Sequence, residues 1–89
     1  MSNKQNNYTN KAPITVTTGG NALLPLNLNR TSLILFNQGP SSVNIYMNTA
    51  AAFITLTAGQ RMDFTHAAPL NEINGTTTSG TAVVTVWES

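Results

Sequence analysis

Residues Thr31–Met47, TSLILFNQGPSSVNIYM, read as two strands joined by a turn. The first, Ser32-Leu33-Ile34-Leu35-Phe36, is apolar at successive positions, the pattern of a strand buried on both faces. The second, Val43-Asn44-Ile45-Tyr46-Met47, alternates apolar and polar residues and so has one dry and one wet face. Between them, Asn37-Gln38-Gly39-Pro40-Ser41-Ser42 places Gly and Pro together in a polar loop, the punctuation expected between antiparallel strands.

The same alternation recurs on both sides of this stretch. Upstream, Ala12–Thr18 is β-branched from Ile14 to Thr17 and so suits a pleated surface. Gly19-Gly20-Asn21 interrupts it. Ala22–Leu28 follows as an edge strand, because Pro25 cannot donate to a central ladder; Leu24, Leu26 and Leu28 are expected on one face. Downstream, Asn48–Ala52 is a loop with room for one helical turn, and Phe53–Thr57 alternates again. Ala58-Gly59-Gln60 makes a tight turn into Arg61–Thr65, where Met62 and Phe64 face inward and Arg61 and Asp63 face solvent. Leu70–Gly75 is a weak strand closed by Asn74-Gly75. The last strand, Thr81–Glu88, carries valines on both faces and is expected to pair centrally beside Ser32–Phe36. Trp87 implies a packed C-terminal strand. About eight short strands with turns between them predict an all-β, antiparallel, two-sheet sandwich, jelly-roll-like in its strand count. Residues 1–12 form an Asn-rich N-terminal arm whose one apolar anchor is Tyr8, and residues 13–89 form the β-sandwich domain.

Size and charge narrow the function. A chain of 89 residues buries a modest core, and domains of this size commonly rely on disulfides, a metal or association. There are no cysteines and a single histidine, which leaves association as the expected support and no cofactor or metal. Charged residues make up 8% of the chain, against about 25% in ordinary soluble domains. A surface so poor in charge is covered by neighbours at small desolvation cost. No basic cluster suits a phosphate backbone, so direct nucleic-acid binding is not expected. No apolar run reaches the ~20 residues of a membrane span, and the N-terminus lacks the apolar core of a secretory signal; synthesis and retention in a cytoplasm follow as the expectation.

Catalytic chemistry has little to build on. His66, Asp63 and Ser79 sketch a Ser-His-Asp set, but Ser and Thr are so abundant that a hydroxyl always stands available. The ordinary reading is a loop histidine and an Asp63 that pairs with Arg61 or Arg30 across a sheet face. Gly19-Gly20 lacks the Lys-Ser/Thr of a phosphate loop. Tyr46, on the polar face between Asn44 and Asn48, is either a half-exposed cross-strand aromatic or an interface anchor.

Four segments together resemble a known family. Arg30-Thr31-Ser32-Leu33-Ile34-Leu35-Phe36-Asn37 precedes Val43-Asn44-Ile45-Tyr46-Met47. The turn Leu56-Thr57-Ala58-Gly59-Gln60 follows, and the chain closes with Ser79-Gly80-Thr81-Ala82-Val83-Val84-Thr85-Val86-Trp87-Glu88. This order resembles small β-sandwich virion proteins of tailed bacteriophages, of the capsid decoration or cement type, over roughly residues 30–88. The family pattern does not specify the arm, residues 1–12. The resemblance implies a structural, non-enzymatic role on the outer capsid surface, in many copies and commonly as homotrimers laid across major capsid protein subunits. A receptor- or glycan-binding module of a head fibre or tail, using loops 48–52 and 66–69, is the alternative. Tyr8, Arg30, Tyr46 and Arg61 are the candidate interface residues.

Overall fold

The computed structural model describes residues 9–10, 12–47, 53–65 and 68–89. Its strands are β1 (Thr9–Asn10), β2 (Ile14–Val16), β3 (Asn21–Leu24), β4 (Leu33–Pro40), β5 (Val43–Met47), β6 (Phe53–Leu56), β7 (Arg61–Phe64), β8 (Ile73–Thr76) and β9 (Ala82–Glu88). They form two antiparallel sheets. One runs β1-β9-β4-β7, with β2 also paired to β9; the other runs β3-β8-β5-β6. Leaving β1 aside and counting from β2, the orders are first-eighth-third-sixth and second-seventh-fourth-fifth. That is the strand order of a jelly roll.

The expected sandwich is present, and β9 does pair along the length of β4, from Leu33 opposite Glu88 to Pro40 opposite Ala82. The Thr31–Met47 stretch, however, is not a hairpin. Strands β4 and β5 lie in different sheets, and the chain crosses from one layer to the other through Ser41-Ser42. A Gly-Pro loop reports that the chain bends, not which sheet receives it. Strand β4 also runs on through Asn37-Gln38-Gly39-Pro40, with a register shift between Asn37 and Gly39. Among the described strands, β5 and β6 alone are both sequence neighbours and ladder partners, Tyr46 opposite Phe53 and Val43 opposite Leu56.

The core lies between the inner faces. Val16, Leu24, Leu33, Leu35, Ile45, Ile73, Val84 and Val86 have lost all but a trace of their exposure. Such side chains contribute about 1.5–3 kcal/mol each on burial. Ile34 and Phe36 point out of β4 on the other face and are half-buried, flanked within the sheet by Trp87, Thr85, Asp63 and Arg61. The run Leu33–Phe36 therefore has one core face, not two. Met62 and Phe64 pack against the core while Arg61 and Asp63 stay exposed, as their alternation predicts.

Three other expectations change. Strand β3 is an edge strand, but it stops at Leu24, before Pro25; Leu26 and Leu28, freed from the ladder, are 60% and 72% exposed instead of sharing the face of Leu24. Asn74-Gly75 closes no turn. It lies inside β8, where a Cβ on Gly75 would meet Val43 Cγ2 at 3.2 Å and Leu23 Cδ1 at 3.3 Å, so glycine makes room for side chains of the flanking strands β5 and β3. Within the stretch read as an arm, Thr9 and Asn10 pair with Glu88 and Trp87. Tyr8, the 48–52 loop and His66 lie outside the described residues.

Candidate functional site

Antiparallel topology sorts the connections to two ends. The β2–β3, β4–β5, β6–β7 and β8–β9 links meet at one end; the β3–β4, β5–β6 and β7–β8 links meet at the other, with the last residues of β9. We refer to them as the Asn37 end and the Arg30 end.

Two links of the Arg30 end, β3–β4 and β7–β8, are longer than any at the other end, and a side chain holds them together. Arg30 is 3% exposed. Its Nε donates to Glu88 Oε1 at 2.9 Å, one terminal nitrogen donates to the carbonyls of Pro69 (2.6 Å) and Asn71 (3.1 Å), and the other donates to the carbonyl of Pro25 (2.8 Å). One guanidinium thus ties the β3–β4 link, the β7–β8 link and the end of β9. Asn27 reinforces it: its Nδ2 donates to Glu88 Oε1, its Oδ1 accepts from the Asn29 amide, and its own amide donates to the Leu70 carbonyl. Ser89 completes the frame. Its carbonyl accepts from the Thr31 and Ser32 amides at 2.7 and 3.2 Å, and its amide donates to the Ser32 carbonyl. The C-terminal strand is packed, as Trp87 suggested.

On this frame stand apolar groups that the fold leaves uncovered. Leu26 and Leu28 project from the β3–β4 link and Leu70 (37% exposed) from the β7–β8 link, joined to it by the Asn27–Leu70 backbone bond. Phe53 and Ile54, 49% and 48% exposed, begin β6 at the same end. Large apolar side chains left exposed together at one end of a domain point to an interaction surface.

The predicted interface residues fall in separate places. Arg30 is enclosed and serves as a clamp, so its guanidinium is not offered at this chain's surface. Arg61 lies on edge strand β7, side chain 63% exposed, and pairs with Asp63 at 3.0 Å, the arrangement expected for Asp63. Tyr46 is half-buried on the outer face of the β3-β8-β5-β6 sheet, with its ring centroid 5.2 Å from that of Phe53. Asp63 and Ser79 do not meet, since Ser79 sits in the β8–β9 link at the Asn37 end. Among the described residues no three His, Asp or Glu side chains gather as a metal site would require. The uncovered leucines were not singled out from sequence. The signal was present in Pro25, past which the β3 ladder does not continue although the alternation does.

No family model, curated protein or solved structure matches the chain.

Proposed function

We propose that the protein is a non-enzymatic structural component of a tailed-phage virion, made in the host cytoplasm, that decorates the outer capsid surface and stabilises the shell by binding across major capsid protein subunits. The observation that carries this reading is the Arg30 end: Leu26, Leu28 and Leu70 stand exposed on a frame pinned by a buried ion pair. The rest of the surface is wetted by Asn, Thr and Ser in a chain that is 8% charged. A rigid, weakly hydrated apolar end suits docking on another protein without a large desolvation cost. Binding the assembled lattice and not its free subunits would stabilise the lattice by mass action.

Co-sedimentation with expanded capsids of the phage that encodes the protein tests this directly. Binding at hundreds of copies, abolished by Leu26→Asp with Leu28→Asp while the variant stays folded, is the expected result. Absence of the protein from purified virions would overturn it.

A second reading is favoured by the outer face of the β3-β8-β5-β6 sheet. There Tyr46 and Phe53 lie among Asn44, Thr55, Asn74 and Thr76, a field of amides and hydroxyls with an aromatic platform, bordered by Glu72, whose Oε1 accepts from Asn74 Nδ2 at 3.5 Å. Such a surface suits a glycan and a fibre or tail location. Glycan binding that is lost in Tyr46→Ala, with only a handful of copies per virion, would select this reading over the first.

A further inference from the structure

An open sheet edge invites another strand, and proteins blunt their edges with proline, bulges or charge. Three of the edges described here are blunted. The β1/β2 edge is broken near Pro13: Asn10 lies opposite Trp87 but Ile14 opposite Val84, so the register slips by one residue between them. Strand β3 carries a register shift between Ala22 and Leu24 and ends before Pro25. Strand β7 presents Arg61 and Asp63. Strand β6 has none of these devices. Phe53-Ile54-Thr55-Leu56 contains no proline, glycine or charge, and its register with β5 is unbroken. Ile54 is opposite Ile45, which is 1% exposed, yet Ile54 itself is 48% exposed because none of the described strands covers its other side.

We infer that a second copy of this chain covers that edge, β6 pairing antiparallel with β6 about a two-fold axis, so that two four-stranded sheets join into one. Charge argues for a copy over a foreign strand. The Thr57–Gln60 turn brings β7 to the same flank of the sandwich as β6. On that flank Arg61 and Asp63 stand two residues apart with opposite signs. An antiparallel copy sets Arg61 toward Asp63 and Asp63 toward Arg61, and the neutral β6 strands meet with no like charges opposed. Residues that share a face pair across such an axis; Thr55 opposite Thr55 on the outer side keeps the β7 charges crossed and sets Ile54 against Leu56 of the copy on the inner side. A closed three-fold ring would instead have to seat β6 on one of the blunted edges. The inference rests on the strand edges alone and stands whether or not the protein belongs to a virion.

Sedimentation velocity of the full-length protein over a concentration series tests it. The unmodified protein is expected to sediment as a dimer. Ile54→Lys, which places an edge-blunting charge on β6, weakens self-association by about 30-fold. Leu28→Lys, away from the edge, leaves association unchanged. Asp63→Arg weakens the dimer, and adding Arg61→Asp to it restores the crossed signs and the association, a readout that holds even if Ile54→Lys fails to fold. Amide exchange in residues 53–56 slows with concentration in the unmodified protein and not in Ile54→Lys. A monomer at every concentration, or an oligomer indifferent to both the Ile54 and the Asp63 substitutions, overturns the inference.

Discussion

The two ends of the sandwich solve the same problem differently. Each must satisfy the backbone groups of several links that lie outside the ladders. The Asn37 end does so with short turns. Gln60 donates its amide to the Thr57 carbonyl across a turn with Gly59 at φ +87°, and Gly20 does the same toward Thr17. Buried side chains finish the work there: Asn37 Nδ2 donates to the carbonyls of Ser41 (2.9 Å) and Leu56 (2.8 Å), its Oδ1 accepts from the Gly39 amide (2.7 Å), and Thr77 Oγ1 donates to the Gly80 carbonyl (2.8 Å). At the Arg30 end the β3–β4 and β7–β8 links are longer, and there one guanidinium donates to three of their carbonyls and pairs with a carboxylate. Short links also leave no large apolar residue exposed at the Asn37 end, whereas the longer ones carry Leu26, Leu28 and Leu70 into solvent. Among the described residues, the surface available for docking sits where the chain has slack to spend.

If each end depends on its clamp, substitutions at the clamps must hurt most. Arg30→Ala leaves Glu88 without its guanidinium and the carbonyls of Pro25, Pro69 and Asn71 without their donor. A loss of about 3–5 kcal/mol in urea-unfolding stability is expected, with Arg30→Lys recovering only part of it. Asn37→Ala removes three buried bonds at the opposite end and is expected to cost about 2–4 kcal/mol by the same measurement. An equal cost at both clamps would show that charge adds nothing at the Arg30 end.

Two glycines of the Asn37 end separate crowding from backbone conformation. Gly39 (φ +85°) and Gly59 (φ +87°) share a left-handed backbone, but a Cβ on Gly39 would lie 2.9 Å from Ala58 Cβ, while one on Gly59 meets nothing within 4 Å. Thermal unfolding is expected to show Gly39→Ala costing about 2–3 kcal/mol and Gly59→Ala about 1 kcal/mol. Identical values would mean the contact with Ala58 relaxes freely. The smallest effect belongs to Leu28→Ser, which removes an exposed side chain from the Arg30 end. Its stability should stay within about 0.5 kcal/mol of the unmodified protein. A large change there would mean that Leu28 packs in solution and that the end is not the open surface described here.

Strand positions were readable because burial on one face imposes a two-residue period that needs no knowledge of the partner. That is why Phe53–Leu56 and Arg61–Phe64 are strands where their alternation puts them, and why Met62 and Phe64 face inward. The same signal fails where the partner matters. Asn74-Gly75 has the composition of a turn and lies in a strand, because Val43 and Leu23 of neighbouring elements fill the space where a side chain would go. Leu26 and Leu28 keep their alternation past Pro25 with no ladder left to use it. Of the candidate site, Arg30 was legible as a candidate interface residue and Glu88 as the end of the last strand, but not as partners. Their partnership spans 58 positions in the chain, and no local pattern encodes it.

What the amino-acid order settled unaided was the class of the fold, the positions of most strands, the pairing of the last strand beside the Leu33–Phe36 run and the exclusion of disulfide support. All of these follow from local periodicity, composition or the absence of a residue type. Which layer each turn delivers the chain to, which charges are buried together, and which strand edge is left open were set by the folded chain alone. Each of those depends on groups far apart in sequence competing for the same space and the same hydrogen bonds.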